Sequence, residues 1–158
     1  MNHSVKTGLS FGLTSGIITT MGLMVGLNSS TSSKAAVLGG IVTIAFADAF
    51  SDAMGIHVSE ESENVHTSKE VWLSTLSTFL FKFTVALTFA VPVLLLDLST
   101  AVLVSVVWGL SLLALFSYLM SKADKSNPVH VISEHLVIAI AVIIITHNMG
   151  HWIAATFH

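Results

Sequence analysis

The chain has 158 residues, of which 53% are hydrophobic and only 9% are charged, and its mean hydropathy is +0.85. This composition excludes an ordinary soluble domain and predicts an integral membrane protein, with length for about five spans of ~20 residues and no separate soluble domain. The small net charge of −3 indicates no particular partner. The absence of arginine argues against nucleic-acid recognition, and the absence of cysteine excludes disulfides and thiolate metal ligands.

The first two predicted spans cover residues 8–27 and 35–56, with a polar turn of small residues at 28–33. The first span has glycines at four-residue spacings, which allow helices to approach closely. Its apolar run is too long for a signal peptide, so we expect this helix to be retained. The second span carries Asp48 and Asp52, which stack on one helix face because they are four residues apart.

A hydrophilic connection at 57–70 leads into three further spans at 71–96, 101–120 and 129–157. The third span contains Lys82 near its middle and Pro92 towards its end, where a kink is expected. The fourth span carries no charge and is predicted to be a packing helix. A polar loop at 121–128 precedes the fifth span.

The distribution of lysines predicts the orientation. Lys34 lies alone on one side of the predicted membrane, and the positive-inside rule assigns the side with more lysines to the cytoplasm. The N-terminus and the connection 57–70 are therefore expected in the cytoplasm, and the C-terminus outside. The lysines on the cytoplasmic side are Lys6, Lys69, Lys122 and Lys125.

Depth within the spans predicts a charged site. At a rise of 1.5 Å per residue, Asp48 and Ser15 lie ~12 Å from the cytoplasmic ends of their spans, and Lys82 lies ~16 Å from its own. Two close carboxylates in a low dielectric favour a shared divalent cation or a bound proton, so we predict that Asp48 and Asp52 bind metal and protons. In the alternative, Asp48 simply pairs with Lys82 while Asp52 reaches cytoplasmic water.

Lys82 has two interpretations of its own. It can act as an internal counter-ion that competes with the transported ion, or it can snorkel along the helix towards the membrane surface.

Further candidate ligands surround these acids. Met21 and Met54 offer thioethers suited to Fe²⁺, although methionine in an apolar helix is usually a packing residue. Ser15 and Thr19 offer neutral oxygens along a pathway, although hydroxyls in membrane helices more often bond their own backbone.

Two polar clusters lie at the predicted membrane surfaces. Glutamates and histidines of the connection form a candidate metal-collecting site, or else a solvated helix end: His57, Glu60, Glu61, Glu63 and His66. His147 and His151 share a helix face and form a candidate outer-side metal or proton site, or else a pair of interfacial histidines with no metal role. No glutamate completes an HExxH arrangement between them, so zinc-protease chemistry is not indicated.

The segments GLTSGIITTMGLMVGL, at 12–27, and FADAFSDAMGIHVSEESE, at 46–63, resemble the vacuolar iron transporter family. The resemblance is good over the first 63 residues and general afterwards. It implies an all-α homodimer of five-helix subunits, in which the first two helices of both subunits line a central pathway for Fe²⁺ or Mn²⁺, exchanged against protons. By this resemblance Asp48 matches the acid of the family's second helix, and the glutamates at 60–63 match the start of its metal-collecting region.

Four features depart from the family pattern. Ser15 stands where a first-helix aspartate is expected, and Asp52 stands where a second-helix methionine is expected. Lys82 has no expected counterpart, and the large cytoplasmic metal-binding domain of plant-type members is reduced to a short connection. Replacing methionine by aspartate hardens the site, so we predict a stronger preference for Mn²⁺ than in typical members.

The sequence thus predicts a multi-pass membrane transporter that exports or sequesters a divalent transition metal from the cytoplasm, with protons as the counter-ion and no permanently bound cofactor. We expect no enzymatic activity and no nucleic-acid partner. The alternatives are a non-transporting scaffold or regulatory subunit that retains the family fold, and a membrane-embedded metalloenzyme that uses the histidines and acids.

Overall fold

A computed structural model describes residues 3–157, and this part of the chain is all-α. The helices are α1 (His3–Thr31), α2 (Lys34–Ser62), α3 (Ser68–Thr88), α4 (Ala90–Leu95), α5 (Leu98–Ala123) and α6 (Pro128–Phe157). The short α4 continues the apolar run of α3, so residues 3–157 contain five helical units long and apolar enough to cross a membrane. This confirms the predicted all-α class and agrees with five predicted spans.

The helices are longer than the predicted spans. α1 runs through 28–31, and α2 continues to Ser62, which leaves only residues 63–67 between α2 and α3. The expected polar turn at 28–33 and loop at 121–128 are shorter for the same reason, and cover only residues 32–33 and 124–127. Hydropathy marks where a helix leaves the apolar layer, whereas the backbone hydrogen bonds of the helix continue into the polar residues beyond it.

Side-chain caps lie at the starts of α2, α3 and α5. Ser33 accepts a hydrogen bond from the Ala36 amide at the start of α2. Thr67 and Glu70 form a reciprocal capping box at the start of α3, and Asp97 accepts from the Thr100 amide at the start of α5. Each cap satisfies backbone amides that have no partner within the helix.

The expected kink in the third span is a helix break, and it lies before Pro92 rather than at it. α3 ends at Thr88, and the Phe89 amide bonds to the Ala86 carbonyl in a tight final turn. Proline at position 92 cannot donate to the carbonyl four residues earlier, which belongs to Thr88, and its ring displaces that carbonyl. At the far end of α4, the Lys34 ammonium donates to the Leu96 carbonyl at 2.9 Å.

α1 is the central helix, in contact with α2, α3, α5 and α6. Three of its glycines face α3 with no space for a side chain. A methyl group added at Gly8 or Gly12 would lie 2.7 Å from a backbone carbonyl oxygen of α3, and one added at Gly16 would lie 2.7 Å from the Val85 side chain. The glycine spacing predicted close helix packing, and the structure assigns it to α3.

The bundle has two ends. The N-terminal end contains the start of α1, the loop at 63–67 and the end of α5; there Lys6 forms an ion pair with Asp124, and the His3 and His66 rings stack at 5.9 Å. The C-terminal end contains the end of α1, the start of α2 and the end of α6.

Candidate functional site

Lys82 of α3 is the largest of the fully buried side chains in the described chain, with 1% of its surface exposed. Its aliphatic stem passes α1 at Gly16, where an added methyl group would lie 3.1 Å from the Lys82 Cγ atom. The absence of a side chain at Gly16 therefore lets the lysine reach from α3 past α1 towards α2.

The Lys82 ammonium meets both aspartates of α2. Its Nζ atom lies 2.6 Å from Asp48 Oδ2, forms a close ion pair with Asp52 Oδ2 and lies 2.9 Å from the Ser15 hydroxyl oxygen. An ammonium group has three hydrogens to donate, and these three oxygens account for all of them. A buried charge is tolerated when it is paired and hydrogen-bonded in this way.

Hydroxyls from α1 complete the cluster. Ser15 donates to Asp52 Oδ2 at 2.7 Å while it accepts from Lys82. The Thr19 hydroxyl lies 2.9 Å from Asp48 Oδ2 and also 2.9 Å from the Ser15 backbone carbonyl. We call these five residues, Ser15, Thr19, Asp48, Asp52 and Lys82, the acid–lysine cluster.

The cluster is unsymmetrical in how it uses its oxygens. In the described chain, every hydrogen bond and ion pair of the two aspartates goes to Oδ2, so Oδ1 of each carboxylate is available to a further ligand. The Asp48 and Asp52 side chains are 26% and 20% exposed, whereas the Lys82 side chain is only 2% exposed. With all three groups ionised, two carboxylates and one ammonium leave a single net negative charge.

A groove of about 670 Å³ between α1 and α2 connects Asp48 to the C-terminal end of the bundle. It begins near Leu27 and Ala36 and ends at Asp48 and Ser51. Thr19, Thr43 and Ser51 add hydroxyls to a lining that is apolar apart from these residues and Asp48. Asp48 therefore contacts Lys82 and also borders the groove, whereas Asp52 contacts Lys82 and is not part of the groove lining.

Asp48 is paired with Lys82, as the similar depth of the two residues allowed and as the alternative interpretation of the sequence stated. Asp52 shares the same ammonium, so the part of that alternative in which Asp52 only reaches water does not describe this arrangement. Lys82 does not snorkel, because its charged end is buried between the acids.

The two methionines lie away from each other. Met21 is fully buried in the core, where its sulfur packs against Gly109 of α5. Met54 is 51% exposed on the outer surface of α2. The helical register predicted from the sequence placed both methionines beside the acids. The register of a single helix does not determine which neighbouring helix packs against each of its faces.

The glutamates after α2's apolar run differ in environment. Glu60 is buried and accepts a hydrogen bond from Ser74 of α3 at 3.1 Å. The His66 Nε2 atom lies 3.8 Å from a Glu60 carboxylate oxygen and 3.4 Å from one of Glu63. Glu61 is exposed. Glu60 and Glu63 thus share a histidine at the N-terminal end of the bundle, and Glu61 lies outside that group.

The histidines near the end of α6 form a pair. The His147 and His151 rings meet edge to face with centroids 4.6 Å apart, and His147 Nδ1 lies 2.7 Å from the Ser29 hydroxyl of α1. The same kind of contact joins His57 to Thr75 and His135 to Ser117, two pairs that the sequence did not indicate. No local pattern marks such pairs, because their members lie on different helices.

Between residues 3 and 157, no three histidine, aspartate or glutamate side chains are grouped closely enough to hold a metal ion by themselves. A metal at the acid–lysine cluster would therefore need hydroxyl, backbone or water oxygens, or groups from a second copy of the chain, besides the two carboxylates. Neither a scan against protein-family models nor a search of curated proteins found a match for this chain. The resemblance stated from the sequence stays a prediction.

Proposed function

We propose that this protein moves a divalent transition metal, Fe²⁺ or Mn²⁺, across a membrane, and that Asp48 and Asp52 are its ligands at mid-depth. The observation that carries the proposal is the pair of carboxylates within the apolar bundle, each with one oxygen outside the contacts to Lys82, together with a groove that reaches Asp48. Ionisable groups at this depth are costly, so they are rarely present for packing alone.

A pathway along α2 follows from the positions of its acids. Glu60 lies two helical turns from Asp52, or about 12 Å, towards the N-terminal end of the bundle. Asp48 and the groove continue towards the C-terminal end. An ion collected near Glu60 and Glu63 would pass Asp52 and Asp48 and leave through the groove, with protons moving the other way.

The proposed orientation has the N-terminus in the cytoplasm, so the groove opens to the outside and the transport is export or sequestration. The excess of lysines at the N-terminal end supports this orientation. Because the chain has no cysteine, single cysteines introduced at Asn64 and Ser32 report it directly. A membrane-impermeant thiol reagent applied outside should label only the cysteine at position 32, and the reverse pattern would overturn the orientation.

A homodimer is proposed through the outer face of α2. An exposed row of small residues runs along this face at four-residue spacing, and it adjoins the groove: Gly39, Thr43, Ala47, Ser51, Gly55 and Ser59. A methyl group added at Gly39 or Gly55 would meet nothing within 4 Å in its own chain. Rows of small residues favour close helix pairing in membranes, and this pairing would place the grooves of two copies side by side.

The flux assay tests the transport proposal. Purified protein in lipid vesicles is compared with Asp48→Asn and Asp52→Asn for uptake of Mn²⁺, Fe²⁺, Co²⁺ and Zn²⁺, with and without a pH gradient. We expect uptake of Mn²⁺ and Fe²⁺ that depends on the pH gradient and falls at least about tenfold in either variant. Uptake that is equal in wild type and both variants would overturn the assignment of these ligands.

The dimer has its own test. Gly55→Leu adds a large side chain where the protomer has open space, so it should leave the protomer folded and weaken dimerisation, as measured by cross-linking in membranes. Leu80→Ala, on an exposed face of α3, is the control because it alters a different surface. An unchanged dimer fraction in Gly55→Leu would exclude this face as the interface.

A non-transporting scaffold or regulatory subunit is the second candidate, and one observation favours it. Lys82 already neutralises part of the acid pair, as a structural ion network would. This candidate predicts no flux of any of the four metals in wild-type vesicles, and metal tolerance of the host that is unchanged by Asp48→Asn and Asp52→Asn.

A further inference from the structure

We infer that the Lys82 ammonium is a resident cation that competes with the transported metal for Asp48 and Asp52, and so keeps the affinity of the cluster for divalent ions low. The inference rests on the proposed function, because it concerns how the same two carboxylates bind and release their ion. Two aspartates could bind a divalent ion without a lysine beside them, and competition with that ion gives the buried lysine a role.

Lys82 already occupies aspartate oxygens that a bridging metal would use. Lys82 donates to one oxygen of each aspartate and to Ser15, so the oxygens that face each other across the pair are already taken by an ammonium. A metal that bridges the aspartates through these oxygens must replace Lys82. Asp48, which lines the groove, offers a second approach through Oδ1, the oxygen that takes no part in these contacts.

Lys82 also changes the net charge that a divalent ion meets in the cluster. With Lys82 in place, the cluster has one net negative charge, so a divalent ion bound through the Oδ1 atoms would leave one net positive charge in a mostly buried site. Like charges repel strongly at the low effective dielectric of a protein interior. The same cluster without the ammonium has two negative charges and matches a divalent ion.

The packing around Lys82 limits its movement away from the aspartates. Gly16 borders its stem at Cγ, and the backbone of α3 at Lys82 lies against Gly12. The ammonium is therefore held at the acids by packing as well as by charge. A tightly bound ion is released slowly, so a competitor fixed in the site would favour release into the groove.

The matched pair Lys82→Met and Lys69→Met tests the inference in detergent-solubilised protein, with Mn²⁺ alone as the ligand in equilibrium dialysis. Methionine keeps an unbranched apolar stem and removes the charge, and Lys69 is exposed and outside the cluster. We expect Lys82→Met to bind Mn²⁺ at least about tenfold more tightly than wild type, and Lys69→Met to match wild type. Equal or weaker binding by folded Lys82→Met would overturn the inference.

A second pair avoids leaving two adjacent carboxylates without their lysine, which could unfold the protein. Asp52→Asn retains Lys82 with one acid, and the double variant Asp52→Asn/Lys82→Met retains one acid without the lysine. We expect the double variant to bind Mn²⁺ at least about tenfold more tightly than Asp52→Asn alone. Equal affinities in this pair would also overturn the inference.

The results separate this inference from the proposed function. Metal flux in wild type together with unchanged affinity in both lysine variants would retain transport and reject the competitor. Tight Mn²⁺ binding by the lysine variants together with no flux in wild type would retain the competitor and reject transport. In that case Lys82 would permanently block a site that the two aspartates could otherwise form.

Discussion

Gly12 is the position where a single methyl group should disturb the bundle most directly. In Gly12→Ala, the new Cβ atom would lie 2.7 Å from the Thr78 carbonyl oxygen and 3.2 Å from the Lys82 backbone nitrogen. Both are backbone atoms, so no side-chain rotation can relieve the contact. α1 and α3 would have to separate by roughly 0.5–1 Å to restore ordinary contact distances, and a gap of that size forfeits a quarter to a half of the dispersion energy of the atoms facing it.

The magnitude follows from a comparison within α1. Gly26→Ala makes the same chemical change on the same helix, but its new Cβ atom would lie 3.5 Å from the nearest atom, an ordinary contact. Both variants gain about 0.5–1 kcal/mol from exchanging glycine for alanine in a helix. The difference between them therefore isolates the packing cost at Gly12, which we expect to be about 1–3 kcal/mol.

The assay is reversible unfolding in mixed micelles of increasing SDS content, followed by tryptophan fluorescence. Trp108 of α5 donates to the Thr88 hydroxyl at 3.2 Å, so its emission reports on the packing of the bundle. Gly12→Ala should unfold at a lower SDS fraction than wild type, and Gly26→Ala at an equal or higher one. If the two variants differ by less than about 0.5 kcal/mol, α1 and α3 do not approach each other as the structure describes.

Three further predictions concern the charged residues. Ser15→Asp adds a third carboxylate to the acid–lysine cluster, so Mn²⁺ affinity in equilibrium dialysis should rise roughly tenfold while Ser15→Asn should show no rise; equal affinities would contradict the charge argument. Glu60→Ala removes a buried acceptor and should cost about 1–3 kcal/mol in the same unfolding assay, whereas Glu61→Ala at an exposed position should stay within about 0.5 kcal/mol. Hydrogen bonds from the backbone and side chain of Thr100 hold the pKa of Asp97 below its ordinary value. The stability from Asp97 is therefore present above its unfolded pKa and lost as pH falls through the lower folded value, and Asp97→Asn, which retains a cap, should unfold with a weaker acid dependence than wild type.

Composition and hydropathy were sufficient to predict the all-α fold and its five spans, because each span must satisfy its backbone hydrogen bonds internally. The helix ends were not predictable in the same way. Residues 57–62 are hydrophilic yet helical, and Pro92 broke the helix a turn before its own position. The first depends on hydrogen bonds that hydropathy does not measure, and the second on which carbonyl the proline ring displaces.

The depth of the candidate site within the bundle was predictable from the sequence, but which side chains meet at that depth was not. Counting residues placed Asp48 and Lys82 at similar depth, and they are in contact. The helical register placed Met21 beside the acids, whereas it lies in the core against Gly109. Residues at one depth occupy a whole cross-section of the bundle, so depth limits the candidates, and only the arrangement of the helices decides which of them meet.

The glycines and the charges of this chain form one arrangement, although the sequence shows them as separate patterns. Lys82 belongs to α3 and its aspartates to α2, and the lysine stem crosses α1 on the way. A side chain at Gly16 would lie in its path, so the close packing that glycine allows is also what brings the ammonium to the carboxylates. The spacing of the α1 glycines and the charge balance at the α2 acids therefore depend on each other, and a chain with a larger residue at position 16 would have to hold those acids with a different cation.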